Sequence, residues 1–122
     1  MKTKIFADGF EGHVRRSLAR LERRSKGERL PAQRIITFAD PLHMMECLTA
    51  QRMRLCEVAR KKRLSIADLA VELGRNRGSV TRDVNRLKQL GLIRLREEVN
   101  PGHGVVKIVE PVAMKFDLRS TL

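Results

Sequence analysis

The stretch SIADLAVELGRNRGSVTRDVNRLKQLGLI, residues 65–93, decides the fold. Ser65 and Asp68 have the spacing of a helix-starting capping box, although the usual second residue is Glu or Gln. Apolar residues then recur on one helical face between positions 66 and 73. Gly74 stands where a left-handed residue would end that helix. The sequence therefore predicts a short helix over this segment.

A second helix is predicted over about 78–90. Val80, Val84 and Leu87 are spaced by four and three residues, which places them on one buried face. Gly91 supplies a helix stop, and residues 75–77 form the turn from the preceding helix. Two short helices joined by a tight turn predict a helix-turn-helix.

The flanking segments extend this motif on both sides. A helix over about 50–62 is expected to start at Thr49 and to bury Met53, Cys56 and Ala59. After the motif, β-favouring residues at 92–96 and 105–109 surround a Pro- and Gly-containing turn at 100–104, which predicts a hairpin. This order predicts a winged helix-turn-helix, a mainly α fold with one small β-hairpin.

The net positive charge of the chain limits the kinds of partner that it can bind. The 122 residues include 26 Lys and Arg against 14 Asp and Glu, a formal charge of +12. Residues 49–96 alone hold 13 basic and four acidic residues. Trp and Tyr are absent, so platforms for stacking single-stranded bases are poorly supplied. The composition favours duplex nucleic acid as the partner.

The longest uninterrupted apolar run is three residues. Neither a membrane span nor a signal-peptide core can be built from it. We therefore expect a cytoplasmic protein without a membrane partner.

Residues 64–97, "LSIADLAVELGRNRGSVTRDVNRLKQLGLIRLRE", resemble the core of MarR- and ArsR-like bacterial transcriptional regulators. The glycine-rich "NPGHGVVKI" (100–108) resembles their wing. The run from "LTAQRMRLCEVARKK" to "VVKIVEP" (48–111) is similar to small MarR-like DNA-binding proteins of bacteria and archaea, some of them antitoxin-like. This resemblance implies DNA binding by a transcriptional regulator.

The second helix of the motif carries the predicted base contacts. With its apolar stripe facing inward, the outward positions are Gly78, Arg82, Asn85 and Gln89. Arg pairs bidentately with guanine, and Asn or Gln with adenine, so this face suits the major groove. The full predicted DNA-binding set adds flanking and wing residues: Arg75, Asn76, Arg77, Ser79, Thr81, Arg86, His103 and Lys107. Glu97 and Glu98 would repel phosphate at the base of the wing.

The N-terminal part of the chain is predicted to make a homodimer. A basic amphipathic helix over 8–24 carries one apolar stripe, made of Phe10, Val14, Leu18 and Leu21. The stripe packs either on a second copy or back on its own winged helix. The first arrangement fits dimeric regulators, which bind two half-sites of duplex DNA and need a dimer contact outside the recognition helix. A short edge strand is expected at 35–38. The predicted domains are 1–39 as this helix and linker, 40–111 as the winged helix-turn-helix, and 112–122 as a tail.

The sequence also bears on enzymatic, metal-binding and protein-binding functions. No motif of a hydrolase, P-loop, zinc protease or dinucleotide enzyme occurs, so no catalytic residue and no cofactor are predicted. His43 and Cys47 share a helical face near Asp40, but two ligands do not fill a tetrahedral metal site, so a metal-sensing repressor would need a further ligand from a partner chain. Cys47 and Cys56 are expected to be buried free thiols. An antitoxin that holds a toxin protein as well as DNA, and a binder of structured RNA, remain as alternatives.

Overall fold

A computed structural model describes residues 2–120 of the chain. Eleven elements follow one another: β1 (Lys2–Phe6), α1 (Gly9–Ser25), β2 (Arg34–Thr37), α2 (Pro41–Cys47), α3 (Ala50–Lys61), β3 (Leu64–Ser65), α4 (Ile66–Leu73), α5 (Arg77–Gln89), β4 (Ile93–Asn100), β5 (Gly104–Pro111) and β6 (Lys115–Arg119). They form two compact units. The winged unit is Leu48–Met114, and the parallel-sheet unit combines Met1–Cys47 with Lys115–Leu122.

The winged unit has the element order of a winged helix-turn-helix. Three helices, α3 to α5, are followed by the antiparallel hairpin of β4 and β5, and β3 pairs with the other edge of β5. Its core consists of fully buried aliphatic side chains from all three helices and both hairpin strands. They are Leu55, Leu69, Val80, Val84, Leu87, Leu92, Ile93 and Val109.

Local signals start and end these helices as the sequence predicted. The hydroxyl of Thr49 accepts a hydrogen bond from the Arg52 amide, and that of Ser65 accepts one from the Asp68 amide. Gly74 ends α4 in the left-handed conformation, with φ of 63°. Cys56 and Ala59 are buried as expected, whereas Met53 is half-buried.

The parallel-sheet unit places β1 between β2 and β6, with all three strands parallel. α1 connects β1 to β2, which makes a βαβ unit. The predicted strand near 35–38 is therefore present, and β2 lies at a sheet edge.

α1 faces this sheet with its arginine side and not with its apolar stripe. The Arg16 guanidinium lies 3.6 Å from the centre of the Phe6 ring and donates to Thr37 Oγ1 at 2.9 Å. The stripe lies on the opposite side, where Phe10 is 81% exposed and Leu18 and Leu21 are each 61% exposed. Val14 is half-buried. The planar, stacked guanidinium takes the place that an aliphatic side chain usually fills.

Two sequence predictions are corrected by these observations. The fold is mixed α and β, not mainly α with a single hairpin, because six strands form two three-stranded sheets. The predicted boundaries at 39/40 and 111/112 differ from the observed ones as well. β1 is a strand within the predicted arm, and β6 returns the predicted tail to the sheet beside it. The last two residues of that tail lie outside the described residues.

Candidate nucleic-acid interface

α5 is held in the winged unit by its apolar stripe. Val80, Val84 and Leu87 are each 0% exposed, which confirms the buried face predicted from their spacing. Because one face of the helix is buried along its length, the opposite face is fixed in orientation. The side chains on that opposite face therefore lie on one continuous polar surface.

The turn before α5 is built by a capping asparagine. Asn76 Oδ1 accepts hydrogen bonds from the amides of Gly78 at 2.7 Å and Ser79 at 3.3 Å. These bonds satisfy two of the amides that a helix start leaves without partners. A Cβ on Gly78 would stand 3.0 Å from that same oxygen, so the absence of a side chain there lets the cap close. Both residues were predicted to contact DNA, and both shape the start of α5.

A half-buried carboxylate ties α5 to the rest of the motif. Asp83 Oδ1 accepts from Arg52 Nε of α3 at 3.0 Å, and Oδ2 accepts from Arg75 Nη2 of the turn at 2.7 Å. The Asp83 side chain is only 13% exposed. Burial acts to raise the pKa of Asp83, but the hydrogen bonds from Arg75 and Arg52 outweigh it and lower the pKa below its usual value. We call these three residues the Asp83 bridge.

The Asp83 bridge changes the interpretation of Arg75. The sequence predicted a phosphate contact, but its side chain is 18% exposed and is paired with Asp83. Its charge is compensated inside the unit, so Arg75 positions α5 instead of presenting a cation at the surface.

The outward face of α5 is polar and basic. Arg82, Asn85 and Gln89 are exposed, as are Arg77 and Gly78 at the helix start. The only acid in the helix, Asp83, is used by the Asp83 bridge. The exposed face therefore presents amide groups and positive charge without a carboxylate.

Other predicted residues of α5 are partly occupied. Arg82 Nη2 donates to Ser79 Oγ at 3.2 Å, which holds the guanidinium along the helix. Thr81 donates its hydroxyl hydrogen to the Arg77 carbonyl at 2.8 Å. Ser79, Thr81 and Arg86 are half-buried. The residues of α5 that were predicted to contact DNA thus lie at the start of the helix or on one face of it. Several of them also make hydrogen bonds within the helix.

The wing carries the remaining predicted residues and a ladder of ion pairs. His103 lies in the exposed turn between β4 and β5, and Lys107 is exposed on β5 opposite Glu97. Two residues before the end of β4, and so near the turn of the hairpin instead of at its base, Glu98 pairs with Arg63, so one of the two carboxylates expected to repel phosphate is compensated.

Glu110 is compensated in the same way. It accepts from Arg94 Nε at 2.6 Å and Arg96 Nε at 3.1 Å, and the hydrogen bond from Arg94 lowers the pKa of Glu110.

Asp83, Arg52 and Arg63 were missed as site-forming residues. Asp83 follows Val80 by three positions, which places a single acid beside the buried stripe of an otherwise basic helix. That position is a usable signal for a buried ion pair. Arg52 and Arg63 pair with residues 31 and 35 positions away, and such pairings have no local signal.

The residues considered for metal binding do not assemble a site in the described part of the chain. No group of three or more His, Cys, Asp or Glu among residues 2–120 could hold a metal ion. The ring of His43 instead meets the edge of Phe38, with centroids 5.4 Å apart. Cys47 and Cys56 are buried free thiols, as predicted, and burial raises the pKa of Cys56 to about 12. Within that same range, no helix has the length and apolar character needed to cross a membrane.

Known proteins resemble the winged part of the chain. The sequence model of the HVO_A0114 family matches residues 47–109. The chain is similar to the solution NMR structure of a homodimeric winged helix-turn-helix DNA-binding domain from Mycobacterium bovis, described as a possible ArsR-family transcriptional regulator. The two are 17% identical with a TM-score of 0.48, and the match covers 56% of this chain and 59% of that one. No curated protein matches the sequence.

Proposed function

The chain belongs to the HVO_A0114 family, and we propose that its winged unit binds double-stranded DNA as a sequence-specific transcriptional regulator. The observation that carries the proposal is the outward face of α5. It combines exposed Arg82, Asn85 and Gln89 with no uncompensated carboxylate, on a helix of fixed orientation. Arg and amide side chains are those that discriminate base edges in the major groove. The proposal assigns the chain no catalytic role and no cofactor.

Each group has a separate task in this proposal. Arg82 and Asn85 read base edges, with Gln89 one turn further along the same face. Arg77 at the start of α5 and Lys107 on the wing contact phosphates, which fix register without reading sequence. The Asp83 bridge keeps α5 at one angle to α3, so that base contacts and phosphate contacts can form together.

Selection of bound sites from random duplex DNA tests the function. We expect one enriched motif, and we expect the selected duplex to bind at least about 10³-fold more tightly than a scrambled duplex at physiological salt. No enriched motif, together with equal binding of all duplexes, would overturn sequence specificity. Preference for a structured RNA over every duplex would favour the RNA alternative.

We further propose that the regulator is a homodimer joined through α1. The stripe of Phe10, Val14, Leu18 and Leu21 is turned away from the sheet of its own unit, and three of its four side chains are mostly exposed. Exposed apolar surface of this kind marks an interaction site. Dimeric regulators that bind two half-sites of duplex DNA need a dimer contact outside the recognition helix. A second copy supplies a self-complementary partner.

Substitution within the stripe tests the dimer better than deletion does. Removing the first thirty residues would also remove β1, the central strand of the parallel sheet. Leu18→Glu should convert the dimer to a folded monomer and weaken operator binding by at least about tenfold, because the half-sites lose their linkage. Light scattering measures the mass. Ala50→Glu, which adds the same charge at an exposed position on α3, should stay dimeric. A Leu18→Glu protein that is still dimeric would contradict the assignment.

The antitoxin alternative predicts a different result. A regulator of that type would bind a toxin protein as well as DNA, and its gene would stand beside a toxin-like reading frame. Co-purification of that neighbouring product at a fixed ratio would favour it over the simple regulator.

A further inference from the structure

A cleft of about 220 Å³ lies in the parallel-sheet unit between α1 and the strands β1 and β2. It is distinct from the α5 face, and the proposed DNA contacts do not use it. Its polar lining is mostly basic, with Ser17 and Gln33 as uncharged members, and no Asp or Glu among residues 2–120 lines it. The side chains that matter here are Lys4, Phe6, His13, Arg16, Arg20 and Arg23.

Two of the positive charges around the cleft have no carboxylate partner. Arg16 is paired with Asp8, and Arg23 with Glu28. Arg20 instead donates to the carbonyl oxygen of Pro31 at 2.6 Å, an uncharged acceptor that leaves its charge uncompensated. Lys4 is half-buried on the central strand, and its side chain makes no hydrogen bond or ion pair with any residue from 2 to 120. The cleft is therefore electropositive after the internal pairs have been counted.

Arg16 lines the cleft with a guanidinium that is already fixed. Its two terminal nitrogens are engaged by Asp8 and Thr37, and its Nε is buried without a hydrogen-bond partner in the described chain. The side chain is also held in place by its stacking on Phe6, so little ordering is required when an acceptor arrives.

We propose that this cleft binds a small phosphorylated molecule. A phosphate monoester carries between one and two negative charges at neutral pH and presents three acceptor oxygens. It can therefore pair with Lys4 and Arg20 at once, whereas a carboxylate offers one charge and two oxygens. The apolar walls formed by Phe6, Ala19 and Ile35 contact the organic part of the ligand.

Titration of the 122-residue chain with phenyl phosphate tests the proposal, with amide chemical shifts and calorimetry as the two readouts. We expect half-saturation at or below about 1 mM, with shifts concentrated in residues 4–6 and 13–20. Inorganic phosphate should shift the same amides more weakly because it lacks the apolar part. Benzoate should bind more weakly than phenyl phosphate because it has one charge.

Two variants and one matched control locate the site. Lys4→Gln and Arg20→Gln should each weaken phenyl phosphate at least about fivefold, since each removes a charged donor. Arg24→Gln removes the same charge from an exposed position of α1 outside the cleft and should change binding by less than twofold. Thermal unfolding of each variant checks that the unit is folded.

The outcomes separate the proposal from its rivals. Absence of saturable shifts up to about 10 mM phenyl phosphate would overturn it. Equal weakening by Arg24→Gln and Lys4→Gln would also overturn it, because attraction would then come from overall charge. If a short random duplex shifts these amides while phenyl phosphate does not, the cleft contacts nucleic acid and the proposed ligand is wrong. Loss of binding in both cleft variants, with the control intact, supports it.

Discussion

At residue 83, one carboxylate accepts hydrogen bonds from two guanidinium groups that belong to different parts of the winged unit. Arg52 belongs to α3 and Arg75 to the turn before α5, so the Asp83 bridge connects three segments through one side chain. Removing the carboxylate leaves two half-buried cations facing each other. Asp83→Asn should therefore lower the free energy of unfolding by about 2 kcal/mol in urea titration. Glu97→Gln, at an exposed position of β4, is the control and should lower it by less than about 0.5 kcal/mol.

The same residue gives a pH dependence with a defined sign. The folded protein holds the pKa of Asp83 below its usual value, so the carboxylate stabilises the fold fully above about pH 4. That contribution is lost as the pH falls through the lowered pKa of the folded state. The difference in unfolding free energy between the natural protein and Asp83→Asn should therefore shrink between pH 6 and pH 3, and urea titrations at intervals of about one pH unit measure it. A difference that is constant over this range would contradict the bridge.

At the scale of the element, two asparagines of the α5 region have different tasks: Asn76 caps the start of the helix, and Asn85 lies on its exposed face. Asn76→Ala removes a cap that accepts two amide hydrogen bonds and should cost about 1 kcal/mol of stability. Asn85→Ala removes the same amide group from the exposed face of the same helix and should cost less than about 0.5 kcal/mol. Thermal unfolding of the two variants side by side measures the contrast. Equal destabilisation would mean that Asn76 does not act as the cap.

The elements that the sequence predicted are those with local signals. The stripe of Val80, Val84 and Leu87, the caps at Thr49 and Ser65, and the left-handed Gly74 each depend on residues within one or two helical turns. The exposed face of α5 followed from the same periodicity. These signals were sufficient for the winged helix-turn-helix order and for the orientation of the exposed face of α5.

The strands of the parallel sheet were missed because their pairing is not local. β1 and β6 are five residues each and pair across more than a hundred residues of sequence, and charged residues stand at every second position, at 2 and 4 in β1 and at 115, 117 and 119 in β6. Lysine-bearing strands of this length lack the apolar run that usually marks a parallel strand. The stacking of Arg16 on Phe6 is equally non-local, so nothing in the sequence indicated that α1 would face the sheet with its arginine side.

At the scale of the whole molecule, the charge of +12 should make DNA binding strongly dependent on salt. The logarithm of affinity should fall linearly with the logarithm of salt concentration, with a slope of about −0.9 for each phosphate contacted. Arg77→Gln should make the slope less negative by about one per protomer and weaken all duplexes alike. Fluorescence anisotropy at several salt concentrations measures the slope. A slope near zero would show that phosphate contacts do not carry the binding.

The reading of sequence by the exposed face of α5 is tested most directly by one binding comparison. Asn85→Ala is titrated against the selected duplex and against a random duplex, with Gln51→Ala on the exposed face of α3 as the matched amide control. We predict a loss of about 1–3 kcal/mol on the selected duplex, little change on the random duplex, and little change for the control on either. An equal loss on both duplexes, or no loss on the selected one, would contradict the account.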